Sequence, residues 1–350
     1  MNNSNHLLLQ PYKLSSYFTL KNRIVMAPMT RRYADHNRCP THPVAEYYAR
    51  RADAGLIVTE GTIISEDAVG YGNVPGIFTE EQIDAWSKVT EQVHTANGLI
   101  FMQLWHSGRV SHPHFHQGRF PISASVTSMS AALGNSGFTC GQSRAASYDE
   151  IQEIVGDYAK AARNAIKAGF DGVEIHGANG YLVDQFLHYC SNHRDDDYGG
   201  RPENMARFCL DVVHACAEAI GIERIGLRLS PGGHMAEIVT DPKDKLVFFY
   251  LLQILSAMSL AYIHIGTFDD SVCYAALDNK TMTDFVRSHS SQAIIASGGY
   301  DPDSAHISMM NNQFDLIALG RLFIANSDLI VKISNHIPLI PYHPTMLADL

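Results

Sequence analysis

Three side chains in one short run could hold developing negative charge and deliver a proton. The run is Gly172-Val173-Glu174-Ile175-His176-Gly177-Ala178-Asn179-Gly180-Tyr181, which passes from an apolar strand-like segment into His176, Asn179 and Tyr181. His176 and Asn179 offer two hydrogen-bond donors to an oxyanion, and the Tyr181 phenol is a candidate acid. The glycines between them let the backbone turn sharply and let a flat ligand come close. The same residues would also suit a strand end with a core histidine and a capping asparagine, so the surrounding elements must decide.

Those elements repeat in kind. Eight short apolar, β-branched runs (23–27, 56–60, 99–104, 172–176, 225–230, 262–266, 293–297 and 316–319) are each followed by a loop and an amphipathic segment. That alternation is the mark of βα units. Thr79 with Gln82 and Ser147 with Glu150 spell capping boxes, while Asp241-Pro242 and Asp301-Pro302 pair an N-cap with proline at the first helical position. Gly55, Gly98, Gly169 and Gly221 mark helix stops. Eight parallel strands alternating with helices in 350 residues predict an α/β fold, a (β/α)8 TIM barrel forming one domain over 1–350. Within it, residues 1–22 would carry a hairpin closing the barrel bottom, 107–146 a lid or extra hairpin after the third strand, and 336–350 a short tail.

Barrel enzymes place their chemistry at the carboxyl ends of the strands. Thr30 follows the first strand, Gly61 the second, Gln103 and Trp105 end the third, His176 ends the fourth, and Arg228 lies near the end of the fifth. The last two strands run into Ser297-Gly298-Gly299 and Leu319-Gly320-Arg321, which offer bare amides and one guanidinium where such barrels bind phosphate. A phosphate-bearing cofactor is implied.

Composition narrows the partner. With 46% hydrophobic and 18% charged residues and a net charge of −10, the chain is an ordinary globular one with no basic surface for nucleic acid or anionic membrane. The amino terminus lacks signal-peptide features and no apolar run reaches membrane-spanning length, so we expect a cytoplasmic protein, monomer or homodimer, acting on a small molecule. Six cysteines without a CxxC pair read as reduced thiols, Cys190 among them. His112-Pro113-His114-Phe115-His116 has no thiolate or carboxylate beside it, and Asp195-Asp196-Asp197 lacks EF-hand spacing, so no metal is expected.

Several blocks together resemble one family. Asn22-Arg23-Ile24-Val25-Met26-Ala27-Pro28-Met29-Thr30-Arg31, Thr59-Glu60-Gly61, Gln103-Leu104-Trp105-His106, Gly199-Gly200 with Glu203-Asn204, Gly226 to Pro231, and Ala318-Leu319-Gly320-Arg321-Leu322-Phe323-Ile324-Ala325-Asn326 are similar to the old yellow enzyme family of FMN-dependent ene-reductases. The resemblance runs in order over roughly residues 7–335.

It implies non-covalent FMN as cofactor, NADPH or NADH as reductant, and ping-pong reduction of activated alkenes such as α,β-unsaturated carbonyls, maleimides and nitro compounds. By the same resemblance Thr30 would face the flavin C4 oxygen, Gln103 its pyrimidine edge and Arg228 its N1 and O2. Pro28, Met29 and Gly61 would neighbour the ring, and Gly298, Gly299, Gly320 and Arg321 would cradle the phosphate. His176 and Asn179 would hold the substrate oxygen, Tyr181 would protonate the α-carbon, and Trp105 would shape the pocket wall. No Rossmann glycine fingerprint is present, in keeping with a nicotinamide that shares the substrate's space. Two departures stand out: Met205 replaces the family's usual arginine, and the chain stops soon after Pro341-Tyr342-His343-Pro344, where relatives run on to bring an aromatic over the substrate. A flavin-binding sensor or lapsed reductase is the alternative. Dienoyl-CoA reductases and amine dehydrogenases, which carry an iron-sulfur cluster and an extra domain, fit less well.

Overall fold

The structure, a computed structural model, describes residues 6–134, 136–233 and 235–350. Residues 1–5 of the expected amino-terminal segment lie outside it. The chain enters through an antiparallel hairpin of β1 (Tyr12–Lys13) and β2 (Thr19–Leu20), then reaches the first barrel strand, β3 (Ile24–Met26). The other barrel strands are β4 (Leu56–Val58), β6 (Ile100–Trp105), β9 (Gly172–Gly177), β10 (Ile225–Leu229), β11 (Tyr262–Ile265), β12 (Ile294–Ala296) and β13 (Leu316–Leu319); β5 (Thr62–Ile63) extends β4 and pairs with the end of β6. Neighbours pair in parallel around the ring, and the β4–β6 and β13–β3 ladders close it. Among the described residues this is the expected eight-stranded barrel.

Alternation along each strand divides two cores. Outward residues such as Ile24, Ile57, Met102, Val173 and Ile263 pack under the helices. Inward residues Val25, Leu56, Val58, Phe101, Tyr262, Ile295 and Leu316 fill the lower barrel and meet Leu14, Phe18 and Leu20 of the hairpin. One step further along the strands the inward positions turn polar: Gln103, Glu174, His176, Arg228 and His264, all buried. The apolar lower layer removes water, and the polar upper layer faces whatever the barrel mouth binds.

Helices α1 (His42–Ala49), α2 (Glu80–Thr95), α3 (Tyr148–Lys167), α4 (Leu182–Leu187), α5 (Pro202–Ile220), α6 (Asp244–Ser256), α7 (Met282–His289), α8 (Pro302–Met310), α9 (Arg321–Ala325) and α10 (Leu329–Ser334) connect the strands. Capping boxes form at Thr79, Ser147 and Asp301. Asp241-Pro242 does not cap a helix: Asp241 closes a tight turn, its Oδ1 accepting from Lys243 N at 2.8 Å, and α6 starts only at Asp244. The Asp244 carboxylate links this turn to the interior, accepting from Asp241 N and meeting His188 Nδ1, each at 2.9 Å. Gly169 and Gly221 take positive φ, 91 and 90, just past α3 and α5, but at the end of α2 it is Asn97 that turns left-handed, with φ 60. Gly98 and Gly55 serve close packing instead, since a Cβ would lie 2.9 Å from that of Ala52 at Gly98 and 2.1 Å from Asn22 O at Gly55.

Two excursions reach the carboxyl end of the barrel. Between β6 and α3, β7 (Ile122–Ser123) pairs in parallel with β8 (Arg144–Ala145), and the arm between them is bridged antiparallel at Ser128–Gln142 and Ala132–Thr139. Its small core of Val110, Met129, Leu133 and Cys140 rests on Tyr71 and Tyr181. The tail returns to the loop after β3: Arg31 and Tyr33 donate to Asp349 O and Ala348 O, and Arg50 Nη2 to Leu350 O at 3.2 Å. Met205 is fully buried in the α5 core, where a methionine needs no ion pair. No described helix is long and apolar enough to cross a membrane.

Candidate active site

The turn after β9 fixes the proposed chemistry. Asn179 and Gly180 both have positive φ, 61 and 75, so the chain reverses within two residues; asparagine tolerates this conformation and glycine adopts it freely. The turn is tied from below, with Asn179 N donating to Ser230 Oγ (2.9 Å), Gly180 N to Asp184 Oδ2 (2.8 Å) and Gln185 Nε2 to Gly180 O (2.7 Å). Asp184 is itself held by His188 at 3.2 Å, and His188 by Asp244 at 2.9 Å, all three with no exposed surface. Burial opposes charge on His188, but Asp184 and Asp244 outweigh it and push its pKa up to about 10.

Rising from this base, His176, Tyr181 and Trp105 form a ring cluster, with Tyr181 edge-on to His176 (centroids 4.9 Å) and to Trp105 (5.0 Å). His176 pairs in register with Arg228 on β10. A Cβ at Gly266 would lie 3.2 Å from Asn179 Oδ1 and 3.5 Å from Arg228 Nε, so the missing side chain leaves room where the asparagine and arginine converge. Burial, reinforced by Arg228, holds the His176 imidazole neutral with its pKa down at about 3. Burial, with Tyr71 alongside, pushes the Tyr181 phenol up and keeps it protonated.

The remaining sequence-flagged residues surround this cluster unevenly. A Cβ on Gly61 would press on the Trp105 ring at 3.0 Å, and one on Gly320 would meet Met29 Sδ at 3.1 Å. Gly298 and Gly299 have φ 112 and 88, and a Cβ at Gly298 would strike Asp270 N at 2.7 Å, so this bend requires glycine. Pro28 and Met29 are half-buried, whereas Thr30 and Arg321 are exposed and their side chains form no hydrogen bond with a described residue. Gln103 donates downward to Glu174. His112 and His114 stack on Phe138, and His116 bonds Ser111 at 2.8 Å, so the histidine run is tied into the arm.

Sequence reasoning missed four contributors. Tyr71 stacks on Trp105 and reaches Tyr181. Glu60 accepts from Arg31 N (2.9 Å) and Arg32 N (3.0 Å), shaping the loop after β3; its burial raises the carboxyl pKa to about 7. Glu174 and His264 lie under the mouth. For Glu174 the signal was present: two residues before His176 on a strand, it shares the inward face.

The chain matches the NADH:flavin oxidoreductase / NADH oxidase family over residues 7–339. It is 41% identical to the flavin oxidoreductase hxnT of Emericella nidulans, over 96% of this chain and 92% of that protein. Among solved structures it resembles the old yellow enzyme homologue from Zymomonas mobilis (TM-score 0.91, 36% identity, 97% and 96% of the two chains). It also resembles morphinone reductase in complex with tetrahydroNAD (TM-score 0.89, 38% identity, 97% and 93%).

Proposed function

Because the chain belongs to the NADH:flavin oxidoreductase / NADH oxidase family, in its old yellow enzyme branch with FMN as cofactor, we propose that it is an NAD(P)H-driven reductase of activated alkenes. Its substrates are α,β-unsaturated carbonyls, maleimides and nitro compounds, turned over by a ping-pong route. The observation that carries this reading is the convergence of His176, Asn179 and Tyr181 beside Arg228 at one barrel mouth.

The residues fit FMN. Arg228 Nε and His176 Nδ1 are buried with no partner among the described residues, an arrangement that costs free energy unless a polar ligand satisfies them. Pro28, Met29, Thr30, Gly61, Gln103 and Arg228 would hold the ring system, and Gly298, Gly299, Gly320 and Arg321 the phosphate. Bound FMN supplies hydride chemistry, drawn from NADPH or NADH and delivered to the β-carbon.

The protein's own groups do the rest. Neutral His176 and Asn179 donate hydrogen bonds to the substrate's carbonyl or nitro oxygen and draw electron density from the double bond. Tyr181 passes its Oη proton to the α-carbon as negative charge develops there. Trp105 and Tyr71 wall the pocket beside Tyr181, and the arm, whose small core rests on Tyr71 and Tyr181, shields the acid from water.

An anaerobic visible spectrum tests the reading. Yellow protein should bleach with NADPH and recolour with 2-cyclohexenone. Colourless protein that takes up no FMN contradicts it, and flavin that bleaches without recolouring favours a sensor or lapsed reductase.

A further inference from the structure

Under the mouth, a buried carboxylate organises the two side chains expected at the flavin's pyrimidine edge. Glu174 has no exposed surface. Its Oε1 accepts from Gln103 Nε2 at 2.7 Å and its Oε2 from His264 Nδ1 at 2.8 Å. Strand register builds the group, since Gln103 pairs with Glu174 across β6 and β9, and Arg228 with His264 across β10 and β11. Burial alone would raise the Glu174 pKa, but His264, Arg228 and the Gln103 amide outweigh it and hold the carboxyl ionised, at about 2. Burial, reinforced by Arg228, pushes the His264 pKa down, and Arg228, whose register partner on β9 is His176 two residues beyond Glu174, brings a fixed positive charge to this layer.

Two consequences follow from elementary chemistry. A carboxylate only accepts hydrogen bonds, so it dictates which end of the Gln103 amide points down. Nε2 is committed to Glu174 through one hydrogen, leaving its second hydrogen and Oε1 as an ordered donor and acceptor. The negative charge also offsets the Arg228 guanidinium in a low-dielectric interior, where a unit charge is felt strongly.

We propose that Glu174 is a positioning residue for FMN: it fixes the donor–acceptor order of Gln103 and, as counter-ion to Arg228, lowers the flavin's reduction potential. The proposal rests on FMN occupying this mouth.

Two substitutions in the FMN-loaded protein separate the roles. Glu174→Gln removes the charge and keeps the shape, with His264 able to switch tautomer. Its midpoint potential should rise because Arg228 then acts unopposed on the reduced flavin. We expect at least a tenfold gain in the ratio of reduced to oxidised FMN affinity, about 30 mV for a two-electron couple. Glu174→Asp keeps the charge but withdraws it from Gln103, so oxidised FMN should bind about tenfold more weakly at a nearly unchanged potential. A purely packing role would weaken binding in both variants without moving either potential. An unshifted potential in FMN-bound Glu174→Gln overturns the charge role, and full FMN affinity in Glu174→Asp overturns the positioning role. If Glu174→Gln does not fold, Glu174→Ala, which also removes the charge, takes its place in the potential measurement. Wild-type protein that binds no FMN would instead sink the flavoprotein assignment, a separate and recognisable result.

Discussion

Tyr71 Oη lies 3.4 Å from Tyr181 Oη, with the Tyr71 ring stacked on Trp105 at 5.6 Å. Tyr71 is partly exposed, so it connects the deeply set acid to the mouth. Tyr71→Phe should slow alkene-driven reoxidation of the flavin about fivefold, the equivalent of one hydrogen bond of ~1 kcal/mol. Stopped-flow reoxidation measures it, and an unchanged rate would remove Tyr71 from the proton step.

Tyr181→Phe should act on the same step more strongly. Loss of a positioned acid typically costs 10²–10⁴-fold. Reduction by NADPH should stay within about twofold of wild type, because that half-reaction needs no proton from the phenol. Equal slowing of both half-reactions would point to a disturbed pocket rather than a lost acid.

His176→Ala and Asn179→Ala each remove one donor to the substrate oxygen. The expected loss in kcat/KM with an enone is about 10²–10³-fold for each, as for an oxyanion-hole donor. Binding of a phenol titrated into the oxidised flavoprotein should weaken in parallel.

Gly180→Ala tests the turn. A Cβ there would lie 2.5 Å from that of Ala236 on a backbone with φ 75. Left-handed strain alone costs roughly 1–2 kcal/mol for a residue with a Cβ, and the overlap adds to it. Urea denaturation should show at least that loss, whereas an unchanged midpoint would mean the turn relaxes freely.

The Asp184–His188–Asp244 group predicts a pH dependence. The folded pKa of His188, about 10, lies above the unfolded value of 6.5, so its contribution to stability is complete below pH 6.5. It is lost as pH rises towards 10, with a slope of at most about 1.4 kcal/mol per pH unit. Unfolding measured across this range should show the decline in wild type and a flatter profile in His188→Asn, which should also be less stable near pH 7 by about 3–5 kcal/mol.

What the sequence by itself determined was local. The capping boxes at Thr79 and Ser147 and the inward alternation of Glu174 and His176 are set by residues a few positions apart, and the hydrogen bonds that realise them close over the same short distance. The run from His176 to Tyr181 was legible for that reason. At Asp241-Pro242 the helix begins later than the pair suggests, at Asp244, whose carboxylate meets His188, 56 positions away. Closure of the barrel likewise decided what no local pattern carries. Glu174 meets Gln103 and His264 across separations of 71 and 90 residues, and Tyr71 meets Tyr181 across 110. Such meetings depend on strand register around the whole ring, and register is fixed only when β4 pairs with β6 and every inward side chain has found its layer.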